Sequence, residues 1–320
     1  MITACPERFV GSSDSTGGLW RREWMLAALL GILVGAYAGD AAVAQQRPVP
    51  QGATVELVAD GFEFTEGPVW HDGALLFSDI PANTVYRWTP DDGTEVFMEP
   101  SGHANGLAVD SSGGVLLAQH DGAVAHRGAD GATTMLAEAY GGRRLNSPND
   151  LTVASDGTVY FTDPPYGVDE ENRELSFSGV YRLSPDGTLT LLTKEFSRPN
   201  GIVLSPDEST LYVNDSRQTV IRAYDVTEGG GIENGRRFAA PTDPDAEGST
   251  DGMKVDRNGN LYTTGPGGIW VYAPDGTQLA RVAVPKAPTN VAFGGPDRST
   301  LYITARPHVY RVPVNVPGSR

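Results

Sequence analysis

The sequence predicts an all-β fold, a six-bladed β-propeller of four-stranded blades, and three observations predict it. Six β-branched and aromatic runs recur along the chain, each with a second strand-like run after it and an apolar strand before it. A fourth run follows in five of the six copies, and the copy that lacks it is the last. An unassigned strand, Val55–Ala59, lies at the other end and can supply the missing one.

Taken in order, the six runs are Leu75–Asp79, Val115–Gln119, Val159–Asp163, Leu211–Asp215, Leu261–Gly265 and Leu301–Ala305. Their partners are Thr84–Trp88, Ala123–Arg127, Gly179–Leu183, Val220–Tyr224, Gly268–Tyr272 and His308–Val312. Turn residues such as Ser155-Asp156-Gly157 and Arg257-Asn258-Gly259 separate the preceding apolar strand from each run, as antiparallel connections require. The outer runs are Thr94–Met98, Thr133–Ala137, Leu189–Thr193, Gly235–Ala239 and Gln278–Val282. Four strands per repeat suit radial repetition, which leaves few exposed sheet edges, and suit neither a sandwich nor a β-helix. An N-terminal strand closing the last blade would tie the chain ends together.

A chain of 320 residues is long enough for two average domains, but the repeats place residues 45–320 in one. The net charge of −16 and the lack of a basic stripe argue against nucleic-acid binding. They also disfavour strongly anionic substrates unless a bound cation reverses the local potential.

Arg21 and Arg22 precede the apolar run Trp24–Ala38, and Ala42-Val43-Ala44 then offers a small-residue cleavage pattern. Residues 1–44 are therefore expected to be a signal peptide and leader, with export to the periplasm or beyond. Met25 is an alternative start within it. The apolar run falls short of the roughly 20 residues a stable span needs, so no membrane insertion is expected after cleavage. The one cysteine, Cys5, lies in this leader, so the mature chain has no disulfide or thiolate chemistry.

The innermost strand of each repeat should be the first, and it opens on Glu66, Asn105, Asn149, Asn200, Asp251 or Asn290, at intervals of 39 to 51 residues. Ring symmetry would gather these six side chains at one mouth of the central channel. Converging buried oxygens repel or go unsatisfied without a partner, and a hard cation answers both problems. An oxygen-only set fits one divalent ion: Ca²⁺ best, then Mg²⁺ or Mn²⁺, while Zn²⁺ usually prefers nitrogen or sulfur. The competing reading takes Asn-Gly and Asp-Gly as turn dipeptides. It does not explain the acid at Glu66.

These residues resemble the regucalcin and gluconolactonase family, also called the senescence-marker-protein family, of six-bladed propeller hydrolases. The resemblance rests on Glu66–Trp70, Asn146–Leu151, Tyr160–Gly167, Arg198–Gly201 and Thr250–Met253. It implies that Glu66, Asn149, Asn200 and Asp251 hold the metal, with Asn149 also serving the substrate. It leaves Asn105 and Asn290, and with them His103, as candidate channel or substrate contacts. Animal members commonly carry arginine where this chain has Ser147, and Asn146-Ser147-Pro148-Asn149-Asp150 looks more like microbial gluconolactonases. Arg143 and Arg144 are candidate cations from the same loop.

The implied activity is hydrolysis of a sugar lactone or similar small ester. In this reading the cation polarises the carbonyl and Asp251 activates water. Two alternatives use the same fold: a phosphotriesterase of the diisopropyl-fluorophosphatase type, and a non-catalytic binding module. His103 and His120 are read as ordinary loop residues, because no triad order or metal-binding histidine spacing accompanies them. No Gly-x-Ser-x-Gly elbow is present.

Overall fold

Strands form where β-branched and aromatic residues cluster, and the burial of each strand reports its radial position. A computed structural model describes residues 47–319, which fall within the unit Gln45–Arg320. The leader lies outside the described residues. Second strands such as Ala74–Asp79, Val159–Asp163 and Leu261–Gly265 are buried at every position. Such continuous burial marks a strand covered on both faces. Outer strands such as Thr133–Ala137 and Gly93–Met98 are largely exposed.

The chain is all-β, with one described 3₁₀ turn at Glu170–Asn172, and adopts a β-propeller arrangement. Hydrogen bonding builds four four-stranded sheets, one six-stranded sheet and a two-stranded ribbon. In the four-stranded sheets the order follows the chain, as in Leu151–Val153, Val159–Asp163, Gly179–Leu183 and Leu189–Thr193. The innermost strands neighbour one another in turn: Glu56–His71, Ala104–Val109, Leu151–Val153, Pro199–Leu204, Met253–Val255 and Asn290–Gly294. The last again meets Glu56–His71.

The sheet count departs from six separate four-stranded sheets, and the reason is a strand shared across the seam. Glu56–His71 runs unbroken from its pairing with the C-terminal Thr300–Pro313 to its pairing with Ala74–Asp79. The expected closing strand is thus the first part of the first repeat's inner strand, with Leu57 opposite Tyr310 and Asp60 opposite His308. Thr300–Pro313 likewise contains two expected runs, Leu301–Ala305 and His308–Val312. Arg306 lies between them with φ of 57°.

Apolar clusters between adjacent sheets form the core. Leu116, Ala118, Leu151, Phe161 and Tyr181 join the second and third repeats, and Phe161 stacks on Tyr181 at 5.2 Å. Truncating a buried aromatic of this kind to alanine typically costs about 3–5 kcal/mol. With no disulfide, these clusters and the seam carry the stability. Among the described residues no helix is long and apolar enough to cross a membrane.

Candidate functional site

The six residues that open the inner strands do converge. Asn105 Nδ2 donates to Asn149 Oδ1 at 2.7 Å, and Asn149 Nδ2 donates to Asn200 Oδ1 at 2.7 Å. Asp251 completes the set, near enough to Glu66 for that residue's charge to act on its carboxyl. Asn290 Nδ2 closes the circuit on Glu66 Oε2 at 3.0 Å. All but Asp251 are at most 5% exposed. Register irregularities begin at Ala104, Pro199 and Glu66, at or beside the ring residues on three of these strands. A bulge re-aims a side chain out of the alternating pattern, which suits a residue that must point to the axis.

The glycine after a ring residue provides space, and Gly67, with φ of 49°, also holds a conformation that favours glycine. A Cβ at Gly67 would stand 1.8 Å from the Asn105 carbonyl oxygen, one at Gly201 2.2 Å from that of Asp251, and one at Gly252 1.8 Å from Asn290 Oδ1. Each glycine admits the next repeat's ring residue. This arrangement replaces the turn-dipeptide reading, since Asn200-Gly201 lies within Pro199–Leu204.

The second strands hold the ring in place through residues that the sequence reading passed over. Asp79 accepts the Glu63 and Phe64 backbone N–H groups at 3.0 and 2.9 Å. Asp163 Oδ2 accepts Asn146 N at 2.9 Å, and Asp215 Oδ2 accepts Ser197 N at 2.6 Å. Each carboxylate ends a second strand and clamps the segment that delivers its own repeat's ring residue. The residue before it ties down the neighbouring repeat: Ser78 Oγ donates to the Asn105 carbonyl at 2.8 Å and Thr162 Oγ1 to that of Asn200 at 2.7 Å. The signal was visible in the aligned runs Ser78-Asp79, Thr162-Asp163 and Asn214-Asp215.

Burial pushes the Glu66 carboxyl up to about 7 despite hydrogen bonds from Gly67 N and Asn290. Asp251 retains some exposed surface, yet its carboxyl is enclosed, and desolvation followed by the charge of Glu66 raises it well above the usual carboxylate range. Asp251 Oδ1 and Asn105 Oδ1 are buried and have no partner within the protein. Two mutually repelling carboxylates and unpaired amide and carboxylate oxygens are the donor chemistry that a hard dication satisfies. The residues present therefore fit such an ion. Among the described residues no three His, Cys, Asp or Glu side chains cluster as a ligand set, so binding here would depend on the asparagine oxygens.

His120 belongs to the site, contrary to its reading as an ordinary loop residue. Its Nε2 lies 3.0 Å from Asn105 Nδ2 and 3.4 Å from Asn149 Oδ1. Burial pushes it down to about 4, so it is neutral near pH 7. His103 pairs with Asp121 at 2.9 Å instead of with a ring residue. Asn290 is engaged at both ends, since its Oδ1 accepts Val291 N at 2.8 Å. Arg143 and Arg144 are exposed, and Arg144 Nη2 donates to the Asp121 carbonyl at 2.6 Å.

Residues 64–306 match the family model described as the SMP-30/gluconolactonase/LRE-like region. The chain belongs to that family. A gluconolactonase of Zymomonas mobilis is 39% identical over 288 residues, which cover 81% of this chain and 80% of the relative. A solved gluconolactonase of Xanthomonas campestris is 33% identical and superposes with a TM-score of 0.77, over 85% of this chain and 92% of that one. A calcium-binding regucalcin of Agrobacterium tumefaciens shares the fold at 23% identity and a TM-score of 0.71, over 83% and 95% of the two chains. Every ring residue of this family member, from Glu66 to Asn290, lies inside the matched span.

Proposed function

We propose that this family member opens a small sugar lactone by hydrolysis at the ring of Glu66, Asn149, Asn200 and Asp251. The observation that carries the reading is the buried Glu66–Asp251 pair with the unpartnered Oδ1 of Asp251. The 39% identity to a gluconolactonase supports the substrate class. We count six blades, because six innermost strands follow one another around the axis.

Glu66, Asn149, Asn200 and Asp251 would hold one divalent cation, Ca²⁺ in this reading, which when bound would act as a Lewis acid and offset charge developing on the carbonyl oxygen. Asn290 and Gly67 N orient the Glu66 carboxylate through hydrogen bonds at 3.0 and 2.7 Å. Asn149 and Asn200 are fixed by each other and by neighbouring strands, so the ring is preorganised. Asp251, whose Oδ1 has no partner within the protein, takes the proton of the attacking water in its ionised form. Asn105, with its free Oδ1, meets the substrate beside Asn149, and His103 stands farther out with Asp121. Export to the periplasm or medium rests on the leader residues Arg21–Ala44.

A pH-stat assay over a panel of sugar lactones, with Ca²⁺, Mg²⁺, Mn²⁺ or Zn²⁺ and then with a chelator, tests this function. Cation-dependent acid release from at least one lactone is expected. Absence of turnover with every lactone and every ion would overturn the reading.

A further inference from the structure

Among the described Phe, Tyr and Trp residues Tyr166 alone is exposed, at 41%, and it is nonetheless held on several sides. Its hydroxyl meets Ser216 Oγ, on the residue after the Asp215 that clamps the Asn200 segment. The Arg198 guanidinium lies over its ring, 5.1 Å from the centroid. Arg198 Nη1 donates to the Pro165 carbonyl at 3.1 Å, and the Arg198 carbonyl accepts Ser216 N at 3.0 Å.

The loop that carries Tyr166 is anchored as firmly. Ser147, fully buried, donates to the Pro164 carbonyl at 2.5 Å and accepts Gly167 N at 2.9 Å. A Cβ on Gly167 would stand 2.6 Å from His120 Cβ, so the loop is pressed against the ring's histidine. An exposed side chain ordinarily keeps its rotamer freedom, and fixing one costs entropy. Here a flat apolar surface is immobilised beside the ring's His120 and against Arg198, two residues before Asn200, as a preorganised binding surface requires.

Resting on the lactonase reading, we infer that the exposed ring of Tyr166 is the platform on which the lactone ring is seated over Asn200 and Asp251. Arg198, Ser216 and Ser147 are positioning residues for that platform. The C–H face of a sugar ring is apolar and flat enough to pack on an aromatic face, while its hydroxyls and carbonyl turn to the polar ring.

The test is steady-state hydrolysis of gluconolactone by the wild type, Tyr166→Phe and Tyr166→Ala with the same cation, together with competitive inhibition by the corresponding aldonic acid. Tyr166→Ala should raise KM about tenfold while kcat stays within about threefold, because a contact made equally in ground and transition states is lost. Inhibition by the acid should weaken in parallel. Tyr166→Phe, which keeps the ring but loses the hydroxyl that meets Ser216, should raise KM and weaken acid inhibition by clearly less than Tyr166→Ala does. An unchanged KM in Tyr166→Ala, a loss confined to kcat, or a phenylalanine variant as impaired as the alanine one would overturn the inference while leaving the lactonase reading intact. A wild type that turned over no lactone would overturn both.

Discussion

The Asp215 carboxylate reaches back 2.6 Å to the Ser197 backbone N–H, three residues ahead of Asn200, and so sets where that asparagine enters the ring. Its other oxygen takes Arg217 N and Gln218 N at 3.0 and 3.1 Å. Asp215→Ala would leave these donors without their charged acceptor. The expected cost is about 3–5 kcal/mol in urea unfolding. Displacement of Asn200 should also lower kcat/KM by about a hundredfold. Asp215→Asn, which keeps one acceptor oxygen, should lose less of each.

Asp163 has the same place in its repeat but a different environment. Burial pushes it up to about 7, against hydrogen bonds from the Asn146 and Ser147 backbone and the Asn146 side chain. Its Oδ1 has no partner. The folded protein therefore binds this proton more tightly than the unfolded chain. Its contribution to stability is fully present at low pH and declines as pH rises from about 4 to about 7. Asp163→Asn removes that titration, so the variant should gain on the wild type by up to about 4 kcal/mol between pH 4 and pH 8. Denaturant unfolding at several pH values measures the difference, and a constant offset would refute it.

Gly201 tests whether space or conformation selects glycine in the ring. Alanine there would place Cβ 2.2 Å from the Asp251 backbone oxygen. The chain must shift locally, at a cost of about 1–3 kcal/mol. The cation response of the melting temperature should weaken because Asp251 moves. Gly73, whose Cβ would meet nothing within 4 Å, is the control: alanine there should carry only the strain of its φ of 74°.

Glu66→Gln should separate the site's role in binding from its burden on the fold. Without a cation, removing one of two mutually repelling buried carboxylates should stabilise the protein above pH 7, where the wild type is forced to ionise Glu66. With cation, the wild type should gain about 2.7 kcal/mol at a hundredfold excess over Kd. The variant should gain little. Thermal unfolding with and without chelator gives all four values.

Much of this was legible in the sequence because each inner and second strand is a contiguous apolar run bounded by turn residues, and a shared first position repeats in register. All six ring residues, from Glu66 to Asn290, could be found without coordinates for that reason, whereas the choice of Glu66, Asn149, Asn200 and Asp251 among them came from the family resemblance. The seam was harder. Val55–Ala59 and the Glu66 strand look separate around Gly61, yet the backbone passes through with shifted registers. Gly67, Gly201 and Gly252 were ambiguous, because one chain's dipeptide does not show which neighbour presses on it. His120 was missed since its contacts, Asn105 and Asn149, come from two repeats. The clamps of Asp79, Asp163 and Asp215 repeat in sequence, but their acceptors' targets are backbone groups that no residue type announces.

The seam strand has a bearing on how the protein comes to be active. Glu66 and Asn290 touch across it at 3.0 Å, although 224 positions apart, and the strand that carries Glu66 pairs with residues as late as Arg311. During synthesis Glu66, the first-made residue of the ring, must wait for the last-made strand before its carboxylate is oriented. Ring completion and site completion are then one event, so a ribosome-bound or C-terminally clipped chain would have strands but no working centre. For a hydrolase, that order withholds activity until the whole polypeptide has been made.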